Sequence, residues 1–260
     1  MTKKSVFSLT KIVALALLAV VATGCKKEVM VAGGFSVGGG RQVKFAKGNV
    51  YYNVLTKTFA MYENQWDFTG GYNDSIDKPN YHGDIDLFGW GTANNPMLYT
   101  EKDEDYATFE DWGTKLGGNW RTLNKDEWKY ILKGRPDAKK KYAIGRVENK
   151  TGIILLPDMW TLPDSCLFFP GVNYIDSNDY RGYTWKKMED AGAVFLPASG
   201  YREGASFVSL WSPGRYWTST GDFVNGAWGF GFTALSKELG VMCYTHRYPG
   251  FAVRLVQDVK

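Results

Sequence analysis

The stretch Gly214–Val256, GRYWTSTGDFVNGAWGFGFTALSKELGVMCYTHRYPGFAVRLV, decides how the rest of the chain is read. Three runs within it, Tyr216–Thr220, Ala227–Phe232 and Ala252–Val256, are rich in aromatic, small and β-branched residues and are bounded by Gly, Asn and Pro. Each reads as a short strand with one face against a core. The turns between them carry Asp222, Phe223, Asn225, Tyr244, His246 and Tyr248, where a turn needs only Gly, Asn or Ser. The strands are therefore expected to be scaffold, and these loop side chains to converge on one exposed face. Aromatic side chains displayed in loops are costly unless a partner covers them.

Outward from this stretch, composition favours one domain of many short strands. The 260 residues include 30 Gly and 16% aromatics, and no long helical periodicity appears beyond the first 24 positions. Residues 1–24 read as an export signal: Lys3, Lys4 and Lys11 precede an unbroken apolar run from Ile12 to Ala22, too short to span a bilayer. The run ends in Ala22-Thr23-Gly24-Cys25, which resembles the lipobox of bacterial lipoproteins with Ala22 in place of its usual Leu. The resemblance implies lipidation of Cys25 and a cell-envelope location, anchored to the outer membrane and surface-exposed.

Without residues 1–24 the chain has 28 basic and 27 acidic residues, a net charge of +1. That balance argues against nucleic acid as a partner. The acidic run Glu101–Asp105 with Glu110-Asp111 reads as a solvated loop, with calcium binding as the alternative. Cys166 and Cys243 read either as a disulfide or as two buried thiols.

Residues 25–40 read as a tether because of Gly33-Gly34 and Gly38-Gly39-Gly40, with a single domain over 41–260. Strands are predicted at 41–45, 49–52 and 58–62, as an antiparallel opening. The long irregular region 70–118 is expected to be packed by its own Phe88, Trp90, Tyr99, Tyr106, Phe109 and Trp112. Asn124 and Glu127 form a capping box for a helix of about ten residues, with Leu123 and Trp128 as a hydrophobic staple. Trp128, Ile131 and Leu132 give that helix one apolar face. A second helix is predicted at Tyr183–Ala191, capped by Thr184 and closed by Gly192. Gly152–Pro157 and Gly192–Pro197 repeat the pattern of Gly, four apolar residues and Pro, which predicts two similar buried strands.

The runs FSVGGGRQVKFAKGNVYY, ENQWDFTG, IDLFGWGT, NWRTLNKDEWKYIL, GIILLPD, GAVFLPASGYREG, GRYWTST and FAVRLV resemble a family of exported Bacteroidota proteins with a C-type-lectin-like domain. The related groups are the Fibrobacter succinogenes major paralogous domain, formylglycine-generating-enzyme-like proteins, and variable proteins diversified by diversity-generating retroelements. Over residues 35–256 the resemblance implies an α+β fold of twisted antiparallel sheets with two short helices and long loops, its terminal strands close together. It implies scaffold positions at Tyr216, Trp217, Ser219, Thr220, Ala227, Phe232, Arg247, Gly250, Val253, Arg254 and Leu255. Ligand-binding positions implied are Asp222, Phe223, Asn225, Trp228, Tyr244, His246, Tyr248 and Phe251. Retroelement diversification would be marked by adenine-rich codons, which a protein sequence does not carry.

Binding is favoured over catalysis. The formylglycine-generating relatives use a close cysteine pair, and Cys243 stands alone near the C-terminus. The two histidines, His82 and His246, have no metal-ligand spacing, and no Gly-x-Ser-x-Gly or phosphate loop occurs. No cofactor and no metal is expected. The calcium-lectin triplets Glu-Pro-Asn and Gln-Pro-Asp are missing, so a surface protein or a glycan stacked on aromatic rings is the expected ligand, as for an adhesin. The alternatives are a formylglycine-generating-enzyme-like enzyme, for which the catalytic cysteine pair is absent, or a structural component of a surface appendage.

Overall fold

The computed structural model describes residues 29–210, 213–222, 225–234 and 238–259, with main chain only at 238 and 241–244. The predicted export signal, Cys25 and Phe223 lie outside the described residues. In chain order the strands of the first half are β1 (Phe35–Gly38), β2 (Arg41–Phe45), β3 (Val50–Asn53), β4 (Thr58–Met61), β5 (Asp84–Ile85) and β6 (Arg121–Thr122). The second half supplies β7 (Tyr142–Val147), β8 (Lys150–Leu155), β9 (Asp179–Tyr180), β10 (Val194–Pro197), β11 (Tyr201–Glu203), β12 (Ser206–Val208), β13 (Pro213–Gly221), β14 (Gly226–Thr233), β15 (Glu238–His246) and β16 (Leu255–Asp258). Two short helices, α1 (Lys125–Lys129) and α2 (Gly182–Asp190), complete an α+β molecule in which small sheets dominate.

The first and last strands meet in one sheet of order β1-β2-β16-β6. Val256 pairs with Phe45 and Leu255 with Thr122, all antiparallel. Phe35, Val37, Val43, Phe45 and Val256 point into the main core. The folded part thus starts before residue 41: β1 lies within the expected tether, and Val31 and Phe35 are buried. Glycine turns flank a strand here rather than marking a linker. The expected antiparallel opening is also redistributed, since β2 pairs with β1 and β16, while β3 pairs with β4 and β5.

The repeated Gly-to-Pro segments are neighbours. β10 runs antiparallel to β8 with Val194 opposite Leu155 and Pro197 opposite Gly152, so each copy's start faces the other's end. A Cβ on Gly152 would stand 2.4 Å from the carbonyl oxygen of Leu196, which is why that position is bare. β8 is itself paired with β7 across Glu148 and Asn149, both with positive φ (48° and 64°), as a tight primed hairpin turn requires.

Both halves of the Asn124 capping box are made: the Asn124 side chain accepts from the Glu127 N–H, and Glu127 accepts from the Asn124 N–H. The helix changes pitch after Lys129 and continues as a π-type turn over Tyr130–Gly134, closed by the Arg135 N–H on the Tyr130 carbonyl at 2.9 Å. Leu123, Trp128, Ile131 and Leu132 are buried, and the Trp128 ring stacks on Phe230 of β14 at 4.9 Å. Helix α1 therefore covers the β13-β14-β15 sheet. Thr184 is not the cap of α2, which begins two residues earlier: its N-cap is Arg181, whose side chain makes no capping bond. Gly192, with φ of 98°, does follow its last turn.

In the 70–118 region Phe88, Trp90, Tyr106 and Trp112 are buried, and Phe109 packs beside Trp90 at 4.9 Å; Tyr99 remains exposed. Cys166 is a free, buried thiol, so the disulfide alternative falls away. Among the described residues no helix is long and apolar enough to cross a membrane.

Candidate ligand-binding face

The predicted site maps onto the turn end of β14 and β15. β15 itself was unforeseen: Tyr244 and His246 occupy a strand, with the Tyr244 main chain opposite Trp228 and His246 opposite Gly226. Trp228 is half-buried, and the Lys125 ammonium sits 4.3 Å above its ring. The Thr218 hydroxyl donates to the Trp228 carbonyl at 2.7 Å and fixes the strand beneath. Asp222 is half-buried, and its N–H donates to the Gly226 carbonyl, closing the β13–β14 turn. Asn225, exposed in that turn, has a φ of 128°, a strained value for a residue with a side chain.

One buried guanidinium holds this turn in place. Arg247 donates from Nε to the Gly226 carbonyl at 3.1 Å and from Nη2 to the Asp222 carbonyl at 2.6 Å. Its guanidinium carbon lies 4.9 Å from the centre of the Trp90 ring, and the Trp90 indole donates to the Thr218 carbonyl at 3.0 Å. The loop before Tyr106 is stitched to the same spot by Asp103, which accepts the Arg247 N–H at 2.7 Å and lies 2.6 Å from His246 Nδ1. His246 is exposed and stacks on Tyr248 at 5.1 Å. Partial burial, followed by the carboxylates of Glu203, Glu101 and Asp103, pushes the Tyr248 phenol pKa upward. The phenol therefore stays a neutral donor across the physiological range.

Phe251 does not belong to this face. It is 5% exposed and stacks on Trp217 at 4.2 Å inside the second core cluster. An aromatic next to Gly250 looked like loop display, yet the main chain there bonds to Phe88 in both directions and turns the ring inward. Nor do all the remaining positions share one environment: Trp228 lies beside α1, whereas His246 and Tyr248 lie beside the 101–103 loop. Trp90, Asp103 and Lys125 were missed. Asp103 carried a signal, as part of an acidic run, but its partner was not legible from sequence.

Next to this face an open cleft of about 460 Å³ is walled by Trp90, Thr92, Asn95, Glu104, Tyr106 and Glu110. Among the described residues no three His, Cys, Asp or Glu side chains are grouped to hold a metal ion. In comparisons with known proteins, no protein-family model matched the chain, and neither the curated proteins nor the solved structures gave a match.

Proposed function

We propose that this chain is an exported protein, lipid-anchored through Cys25 to the outer membrane, whose C-type-lectin-like domain binds a surface protein or glycan at the β14–β15 end. The carrying observation is the stack of exposed His246 on half-buried Tyr248, together with the half-buried Trp228 on the neighbouring strand, around a turn that buried Arg247 holds from below. Rigid aromatics on a fixed frame lose little entropy on binding, which is the usual composition of an interface hot spot. Asp222 and Asn225 supply polar contacts at the rim. Tyr244, whose main chain lies opposite Trp228 in the ladder, and Phe223, outside the described residues, complete the candidate set, from which Phe251 is withdrawn.

The test is a pull-down from bacterial and host surface extracts run beside a glycan array. Replacing Trp228, Tyr244 and Tyr248 together by Ser should abolish capture while moving the melting temperature by only a few degrees. Trp217→Ser should unfold the domain, because Trp217 is 1% exposed and its indole donates to the Phe88 carbonyl at 2.6 Å. A triple variant that fails to fold would make these residues core and end the proposal.

A further inference from the structure

The exposed large apolar side chains among the described residues are concentrated in one stretch of the chain outside the candidate aromatic set. Twelve large hydrophobic side chains are exposed among the described residues, and six of them lie between β8 and the first turn of α2: Met159, Leu162, Leu167, Phe169, Tyr174 and Tyr183. Met159 is 91% exposed and Tyr183 75%. The segment that displays them is pinned. The Tyr180 hydroxyl donates to the Leu167 carbonyl, Asn178 bonds the Phe169 main chain in both directions, and the Lys187 ammonium donates to the Asp164 carbonyl at 2.9 Å. Cys166 faces inward, packed with Trp185 in the third core cluster. An ordered loop that turns its cysteine in and its large apolar residues out presents a surface.

The N-terminal segment lies against the same layer. The Asp158 N–H donates to the Gly34 carbonyl at 2.9 Å, and the Ser36 N–H to the Asp158 carboxylate at 2.6 Å. Met30, Val31 and Ala32 line a recess with Lys186, Glu189 and Asp190 of α2. Val29, the first described residue and itself 49% exposed, directly precedes this recess beside α2. Only Lys26, Lys27 and Glu28 separate it from Cys25, a reach of at most about 14 Å for extended chain. An acylated Cys25 sits at the headgroup level, so this layer is the part of the domain held against the bilayer.

We infer that the Met159–Tyr183 face rests on the lipid surface and is a second membrane contact beside the anchor. This rests on the proposed lipidation of Cys25. The physical reason is that apolar side chains at the interface add to an acyl anchor, and tethering supplies the proximity that a weak contact needs. Asp164, Asp176, Asp179 and Arg181 lie in the segment, Arg181 paired with Asp179, and Lys186 and Lys187 follow in α2, where Lys186 is paired with Asp190. The charge is mixed, so the contact is carried by apolar insertion and persists in high salt.

The experiment uses the full chain, acylated in its host and reconstituted into vesicles of phosphatidylethanolamine and phosphatidylglycerol, with Cys25→Ala mixed with the same vesicles as reference. Hydroxyl-radical oxidation is read residue by residue by mass spectrometry, and the mass of the N-terminal peptide reads acylation. Oxidation of Met159, Leu167 and Tyr183 should fall severalfold in the acylated chain, in low and high salt alike. Leu55 and Tyr72, 66% and 71% exposed elsewhere, should not change. An acylated chain with Met159 still fully reactive would overturn the membrane contact and leave the anchor standing. A chain without an acyl group would overturn both.

Discussion

Arg254 and Arg247 are seven residues apart, both are buried, and both donate from their guanidinium groups to main-chain carbonyls, yet they hold different things. Arg254 uses all five of its N–H groups: on Asn49 Oδ1 at 2.8 Å and on the carbonyls of Ala46, Lys47, Gln65 and Phe195. Those acceptors come from the β2–β3 connection, the loop after β4, and β10, so one side chain ties three parts of the core. Burial pushes its pKa down to about 10, still far above neutrality, so it remains charged. Among the described residues the side chain of Arg247 donates to two carbonyls, both in the β13–β14 turn. The first guanidinium specifies the fold; the second specifies one turn of it.

Arg254→Met is the strongest way to break that contrast. It leaves five acceptors without their donor, at about 1 kcal/mol or more each, a loss of at least about 5 kcal/mol that rivals the stability of a whole domain. Urea titration should show an unfolded or barely folded protein. A loss below about 2 kcal/mol would mean that the five bonds are not the keystone.

Asp86 sharpens the comparison with a buried charge of opposite sign. Burial raises its pKa from 3.8 to about 6, against bonds from Asn73, the Thr69 N–H and Tyr62 that lower it. A raised carboxyl pKa contributes stability that is complete below about pH 4 and is lost as pH rises through about 6. The loss is roughly 3 kcal/mol at 1.36 kcal/mol per unit. Asp158 and Asp258, whose pKa values are lowered, give slopes of the opposite sign in wild type and variant alike. The stability gap between wild type and Asp86→Asn should therefore narrow from pH 4 to pH 7. A gap independent of pH would show that Asp86 is ionised throughout.

Arg247→Met should have the smallest effect, about 1 to 2 kcal/mol for two lost carbonyl bonds. Hydrogen exchange should quicken at Asp222, whose N–H closes the turn, and leave the amides around Arg254 unchanged. Global loosening would erase the distinction between the two arginines.

Local rules were legible in the sequence and long-range ones were not. Asn124 with Glu127 announced a helix start because both partners of the box lie within four residues. Gly152–Pro157 and Gly192–Pro197 announced two buried strands, though not that they pair with each other. β1 was hidden by the glycines on either side of it, and β15 because ELGVMCYTH lacks clean alternation. Thr184 was read as a cap for its residue type, while α2 starts at Gly182 and already includes Thr184. At the candidate face, Trp228, His246 and Tyr248 were legible as aromatics in excess of a core. Trp90, Asp103 and Lys125, which lie far away in sequence, were not. Phe251 misled because a ring in a Gly-Phe corner can turn either way.

The pairing of β16 with β2 has a consequence for the order of assembly. The β7–β8 hairpin closes over a two-residue turn and can form early, but the central sheet joins β2 to β16, more than two hundred residues later in the chain, and Arg254 arrives only just before β16. The partly made chain carries the acceptors of Ala46, Lys47, Gln65 and Phe195 before their common donor exists. Folding of this core is thus gated by Arg254 and β16, which keeps the nascent domain pliable until they have been made.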